Sequence, residues 1–255
     1  MPVDLITLPC LADNYAYLLK DQASPSVALV DAPEAAPILA ALAERGWRLD
    51  EIWLTHHHAD HIQGVAEIVA ATGARVTGAA ADAHRLPPLD RALHPGDRFT
   101  FAGETVEVLD APGHTRGHLA FSVPGAGLVF TGDSLMAGGC GRLFEGSPAE
   151  MWATLTRLAA LDPGTLVCSG HEYTASNLRF AVTLEPANSA LIFRQEAVAE
   201  ARRMGRPTVP SRLSDELSTN PFLRADLPSL RAAVGMPDAP AAEVFAEIRA
   251  RKDRF

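Results

Sequence analysis

The chain has 255 residues, 47% hydrophobic and 21% charged, with 22 Lys+Arg against 31 Asp+Glu and a formal charge of −9. That balance excludes a generic nucleic-acid coat, and no run approaches the ~18 apolar residues of a membrane span. Cys10, Cys140 and Cys168 are odd in number and lack CxxC spacing, which argues against a disulfide framework or a Cys-rich zinc knot. The N-terminus shows no basic segment followed by a long apolar stretch, so the expected compartment is the cytoplasm.

In chain order, short β-type runs are predicted at Val3–Leu8, Tyr15–Leu19, Val27–Val30, Glu51–Leu54, Thr105–Leu109, Gly127–Phe130 and Thr165–Cys168. Helical patterns fall at Ala35–Glu44, Ile62–Ala71 and Pro148–Leu161, the last with Ser147 as N-cap and Pro148 at the first helical position. This is a layered α/β pattern. After His171 the strands are expected to stop: Ala175–Thr183, Ser189–Met204, Leu227–Val234 and Ala241–Lys252 read as helices separated by Pro-containing joints. The boundary lies near residues 172–174, giving a domain over 1–173 and a helical one over 174–255.

The sharpest feature is Thr55-His56-His57-His58-Ala59-Asp60-His61, between the apolar strand Glu51–Leu54 and a helix. His56 and His58, two apart on extended chain, face one way, while Asp60 and His61 turn the corner. Adjacent loop histidines are often merely solvated, but the grammar recurs. Thr105–Leu109 runs into Pro112-Gly113-His114, Gly127–Phe130 into Gly132-Asp133, and Thr165–Cys168 into Gly170-His171. One such Gly-His or Gly-Asp turn is ordinary turn chemistry; four strand ends of this kind make coincidence a poor explanation.

The candidate ligands are His56, His58, Asp60, His61, His114, Asp133 and His171. A structural zinc takes four ligands and favours thiolates, so seven N/O donors predict two divalent metals with open coordination positions. The economical partition puts His56, His58 and His114 on one ion, Asp60, His61 and His171 on the other, and Asp133 across both. Zinc is expected, with iron and manganese as alternatives that availability decides. A hydroxide shared by the two ions would attack an acyl carbonyl, with one ion holding the oxyanion. Asp60 and Asp133 are the catalytic carboxylates, Asp60 also orienting the hydroxide, and the cysteines are read as structural.

The HxHxDH segment with the later Gly-His, Gly-Asp and Gly-His-Glu-Tyr segments resembles the metallo-β-lactamase superfamily. Within it the chain resembles the glyoxalase II (hydroxyacylglutathione hydrolase) family over essentially its whole length. The segments that carry this are Asp13–Leu18, Gly139–Gly146, Gly170–Thr174, Thr219–Arg224 and Arg249–Phe255. The resemblance implies an αββα sandwich followed by a smaller all-helical C-terminal domain that helps bind glutathione. It also implies hydrolysis of S-D-lactoylglutathione, or related 2-hydroxyacyl thioesters, to the acid and glutathione. Arg142, Tyr173, Arg249 and Lys252 fall where the family contacts glutathione. Animal forms have Lys and Tyr where this chain has Arg142 and Phe144, so one hydroxyl contact is absent here. The expected partner is a small glutathione thioester, with no nucleic acid, no membrane and a monomeric chain.

Of the other histidines, His57 lies out of phase with His56 and His58, and His118 is read as support behind the ligands rather than a ligand. The alternative enzyme is a persulfide dioxygenase with one iron acting on glutathione persulfide. A secreted β-lactamase is disfavoured by Asp133, and an RNA-processing nuclease by the net charge. A non-catalytic metal-binding module is disfavoured by the intact ligand set.

Overall fold

A computed structural model describes residues 3–255. The chain packs as two compact units. One comprises the chain up to Asp110 with Gly117–Gly132, and the other Ala111–Arg116 with Asp133–Phe255.

In the first unit, strands β1 (Val3–Cys10), β2 (Asn14–Asp21) and β3 (Val27–Val30) pair antiparallel. Helix α1 (Ala35–Arg45) then crosses over to β4 (Glu51–Trp53), which pairs parallel with β3, because parallel neighbours cannot be joined by a tight turn. After β4 come α2 (Ala59–Ile62) and α3 (Val65–Thr72), and β5 (Arg75–Ala79) and β6 (Arg91–Leu93) extend the parallel half. The Ile62–Ala71 helix of the sequence reading is thus two helices. They are divided at Gly64, where a Cβ would lie 2.9 Å from both Ala32 O and Ala35 N, so the chain approaches too closely for a side chain.

Strands β7 (Arg98–Phe101), β8 (Glu104–Asp110), β9 (Leu119–Val123) and β10 (Leu128–Gly132) form an antiparallel run. Trp53 of β4 joins this run to the first sheet. Its ring lies 5.2 Å from Phe99, 5.4 Å from Phe101, 5.7 Å from Phe121 and 6.5 Å from Phe130. The fully buried indole satisfies its N–H on Glu51 Oε2 at 3.0 Å, as a buried Trp must. Strands β5, β6, β7 and β9 escape the sequence reading because they are short and carry polar or small residues that blur the period.

The second unit contains the hairpin strands β11 (Leu135–Met136) and β12 (Gly139–Cys140), helix α4 (Pro148–Ala159), strand β13 (Leu166–Ser169), and helices α5 (Thr174–Leu184) and α6 (Ser189–Arg203). It continues through β14 (Ser211–Arg212), α7 (Leu213–Thr219), α8 (Pro228–Ala233) and α9 (Ala241–Asp253). Ser147 caps α4 in a reciprocal box: Glu150 N donates to Ser147 Oγ at 3.3 Å and Ser147 N to Glu150 Oε2 at 2.7 Å. Buried Leu178, Ala181, Leu191 and Val198 lock α5 to α6. Trp152 meets Phe245 at 6.1 Å, and Phe245 meets Phe222 at 5.9 Å.

The region after residue 173 is helical as expected, with one correction: strands do not stop at His171. Ser211 and Arg212 pair antiparallel with Val167 and Leu166. Pro207 and Pro210 keep the chain after α6 from returning to helix before this pair. No helix among the described residues is long and apolar enough to cross a membrane.

Candidate metal centre

The two units carry separate sets of the expected ligands. In the first, Asp31 follows β3 at φ 57°, a left-handed conformation that Asp tolerates at a cost of roughly 1–2 kcal/mol. What it gains there is a buried network. Its Oδ1 accepts from Thr55 N at 2.8 Å, and its Oδ2 accepts from Thr55 Oγ1 at 2.8 Å and faces His61 Nδ1 at 2.9 Å.

The protons follow from these contacts. A carboxylate can only accept, so His61 carries its proton on Nδ1 and presents a lone pair at Nε2. The Thr55 hydroxyl hydrogen is committed to Asp31, so Thr55 Oγ1 accepts from His56 Nδ1, 3.0 Å away, and His56 likewise presents Nε2. That nitrogen lies 3.1 Å from His58 Nδ1, so the two rings converge as the two-residue spacing predicts. His61 Nε2 lies 3.9 Å from Asp60 Oδ2, and Asn14 Nδ2 fixes Asp60 by donating to its Oδ2 and its carbonyl, each at 3.0 Å.

His57 turns away, as expected, to Asp82 Oδ2 at 3.2 Å. His118 stacks on His56, with centroids 4.7 Å apart and 17° between planes. Gly132 leaves room for this stack: a Cβ there would lie 2.5 Å from Thr55 Oγ1 and 3.0 Å from His118 Cε1.

In the second unit, Asp133 directly follows β10, and its Oδ2 lies 3.4 Å from His114 Nε2 and 3.3 Å from His171 Nε2. His114 Nδ1 donates to the carbonyl of Arg142 at 2.8 Å, which again puts the imidazole lone pair on Nε2, facing Asp133. His56, His61 and His114 are buried imidazoles with Nδ1 on an oxygen, and Asp60 and Asp133 add carboxylates, which is the donor chemistry of a divalent-metal site. The residues present fit such an ion.

The expected substrate residues also lie in the second unit. Tyr173 is part-exposed and stacks on His171, with centroids 4.7 Å apart and planes 6° from parallel. Phe144 is 62% exposed and lies edge-on to His114 at 5.2 Å. Lys252 Nζ reaches Ser176 Oγ at 3.2 Å and sits over the rings of Phe180 and Phe255. Burial, then the guanidiniums of Arg249, Arg179 and Arg142, push its ammonium below the ordinary 10.5. Arg249 is itself buried and donates to Cys140 O at 3.0 Å, with Asp253 at 2.8 Å. Arg179 joins this cationic group and was missed in the sequence, where its only signal is a place one helical turn beyond Ser176. Burial raises the Cys140 thiol to about 11 and Cys10 to about 12, so neither is a thiolate at neutral pH.

Residues 23–171 match the metallo-β-lactamase superfamily, and residues 172–255 match a family described as the hydroxyacylglutathione hydrolase C-terminus. A hydroxyacylglutathione hydrolase of Fuscovulum blasticum is 66% identical over 255 residues, covering all of both chains. The chain belongs to the hydroxyacylglutathione hydrolase family. Another member of that family, from Ruegeria pomeroyi, is 60% identical, again with full coverage of both chains. Among solved structures, TTHA1623 in a di-iron-bound form is 32% identical, with a TM-score of 0.57 over 66% of this chain and 91% of that one. ETHE1 from Myxococcus xanthus has a TM-score of 0.65 at 23% identity, covering 99% of this chain and 98% of that one, and shows the fold alone. The fold of this hydrolase-family chain is therefore the metallo-β-lactamase α/β fold with a helical C-terminal region, as the sequence motifs implied.

Proposed function

We propose that the chain hydrolyses S-D-lactoylglutathione, and related 2-hydroxyacyl glutathione thioesters, to the 2-hydroxy acid and glutathione at a binuclear divalent-metal centre. His56, His58 and His114 would hold one ion, Asp60, His61 and His171 the other, and Asp133 both. Zinc is the expected metal, with iron or manganese as substitutes. When bound, such ions supply Lewis acidity and lower the pKa of water toward ~7. The observation that carries the reading is the preset tautomer of three imidazoles: His56, His61 and His114 each have Nδ1 tied to an oxygen, so Nε2 is the nitrogen each would offer an ion.

The chain's own side chains do the rest. Asp60, held by Asn14, orients the attacking water through its carboxylate. Residues 1–173 would carry the chemistry and, through Arg142 and Tyr173, part of the substrate contact, while 174–255 would help bind glutathione. Arg142 and Lys252, with Arg249 adding charge from behind, supply the cations that the glutathione carboxylates need in an acidic protein. Tyr173, stacked on His171, offers a hydroxyl beside the reacting end. The proposed enzyme acts as a cytoplasmic monomer.

Purified protein is expected to carry about two metal ions per chain, as a two-metal hydrolytic site requires, and to abolish the thioester absorbance of S-D-lactoylglutathione. Asp133→Ala should lose both properties. Metal-loaded protein inert toward every 2-hydroxyacyl thioester would sink the reading. The one-iron persulfide dioxygenase loses support because the full-length relatives at 66% and 60% identity are named hydroxyacylglutathione hydrolase; no oxygen uptake with glutathione persulfide is expected.

A further inference from the structure

The short hairpin of β11 and β12 lies between Asp133 and Arg142, and its own ladder is only two residue pairs, Leu135 with Cys140 and Met136 with Gly139. Two strands of that length are not stable alone. Its exits are coupled to the ligands. Gly141 N donates to Ser134 O at 3.1 Å, and the Arg142 carbonyl fixes His114 at 2.8 Å. At Gly141 a Cβ would fall 1.9 Å from Asp133 O and 3.0 Å from His114 Nδ1, so the hairpin packs directly against both candidate ligands.

What holds the hairpin comes from the helices that follow. Ala137 O accepts from Asn177 Nδ2 at 3.1 Å. Met136 O and Gly139 O both accept from Asn220 Nδ2, at 3.2 and 2.9 Å, and Cys140 O accepts from Arg249. The turn residue Gly138, at φ 67°, donates its N–H to Glu216 Oε2 at 2.7 Å. Glu216 is fully buried. The same oxygen accepts from Asn220 Nδ2 at 3.1 Å, and the other carboxylate oxygen is paired with Arg194, which also bonds Thr219 Oγ1 at 2.6 Å. A buried carboxylate is costly to desolvate and is a weak source of stability, so its worth here lies in fixing one conformation.

We infer that Glu216 is a positioning residue for the metal ligands. Through Gly138 and Asn220 it sets the hairpin that holds Asp133 and His114 in register, so the helical region tunes the metal centre as well as the substrate. This rests on the ligand assignment proposed above. Glu216→Gln keeps the shape, but with its amide oxygen held by the Arg194 guanidinium its N–H₂ faces Gly138 N–H and Asn220 Nδ2, both donors, and both hairpin contacts break.

The test measures metal loss to a chelator and steady-state hydrolysis of S-D-lactoylglutathione in the full chain. Glu216→Gln is expected to release metal roughly 10–100-fold faster and to lower kcat about tenfold, as disrupted supports of metal ligands do, with KM within about twofold. Glu185→Gln is the control: it cuts another buried pair of the same unit, with Arg224 at 2.8 Å, away from the hairpin. It should lower the melting temperature and leave metal retention and kcat alone. A Glu216→Gln protein that melts early yet keeps its metal and kcat overturns the inference. If that variant does not fold, Asn177→Ser removes only the Ala137 bond, and the same split at smaller amplitude is expected; unchanged metal retention there also overturns it. A wild-type chain that takes up no metal would instead refute the proposed function, whereas an active, metal-replete wild type with an indifferent Glu216 variant refutes only this step.

Discussion

The Thr55–His61 segment carries candidate metal ligands, whereas the 135–142 hairpin carries none and braces two others, Asp133 and His114, and the two are supported in different ways. In the first, side chains bond to side chains: His56 leans on its neighbour Thr55 and on His58, His61 on a carboxylate 30 residues away and Asp60 on Asn14, 46 residues away. In the second, the main chain is held by side chains 40 to 109 residues away. The lesson is about where a substitution acts. Damage near the first segment should reach the protonation of the ligands directly, while damage around the second should act through backbone position.

The largest effect that would sharpen this contrast is expected from Asp31→Asn. Asn tolerates the left-handed backbone, and its amide can still accept from Thr55 N, so the fold should survive. Its N–H₂ would face His61 Nδ1, forcing the proton to Nε2 and blocking the ligating lone pair. Metal affinity should fall roughly 10–100-fold with little change in far-ultraviolet circular dichroism. Unchanged metal titration would break the idea that a distant carboxylate sets the tautomer.

A smaller effect follows at Gly117, where a Cβ would sit 2.3 Å from Asp82 Cγ, behind the outward-turned His57. Gly117→Ala should cost about 1–3 kcal/mol by denaturant unfolding, the range for overpacking a tight site, while metal content stays at the wild-type level. Metal loss in that variant would mean that His57 and Asp82 belong to the ligand support after all.

The smallest effect concerns Lys252 in the helical region. Its ammonium is easier to deprotonate than an ordinary lysine because burial and three guanidiniums disfavour the charge. As pH rises through that lowered value, below 10.5, the cation is lost and KM for the glutathione thioester should climb severalfold. Lys252→Arg keeps its charge and should flatten the alkaline limb of the KM profile without moving kcat. A limb that persists in Lys252→Arg assigns it to another group.

The amino-acid sequence by itself determined the candidate ligand run His56 to His61, the strand-end candidates His114, Asp133 and His171, the capping box at Ser147 and the helical character of the C-terminal third. Each of these is written in residues close together, where spacing and backbone periodicity act directly. Only the tertiary structure decided that Asp31 and Thr55 fix the tautomers of His61 and His56, that Asn14 holds Asp60, that Arg179 joins the cationic cluster, and that Glu216 and Asn220 grip the hairpin. It also decided that Ser211 and Arg212 pair as a strand. A carboxylate or amide carries no local mark of the partner it will meet tens of residues away, because that partner is set by which strands and helices pack together and by the need of every buried polar group to find a hydrogen bond.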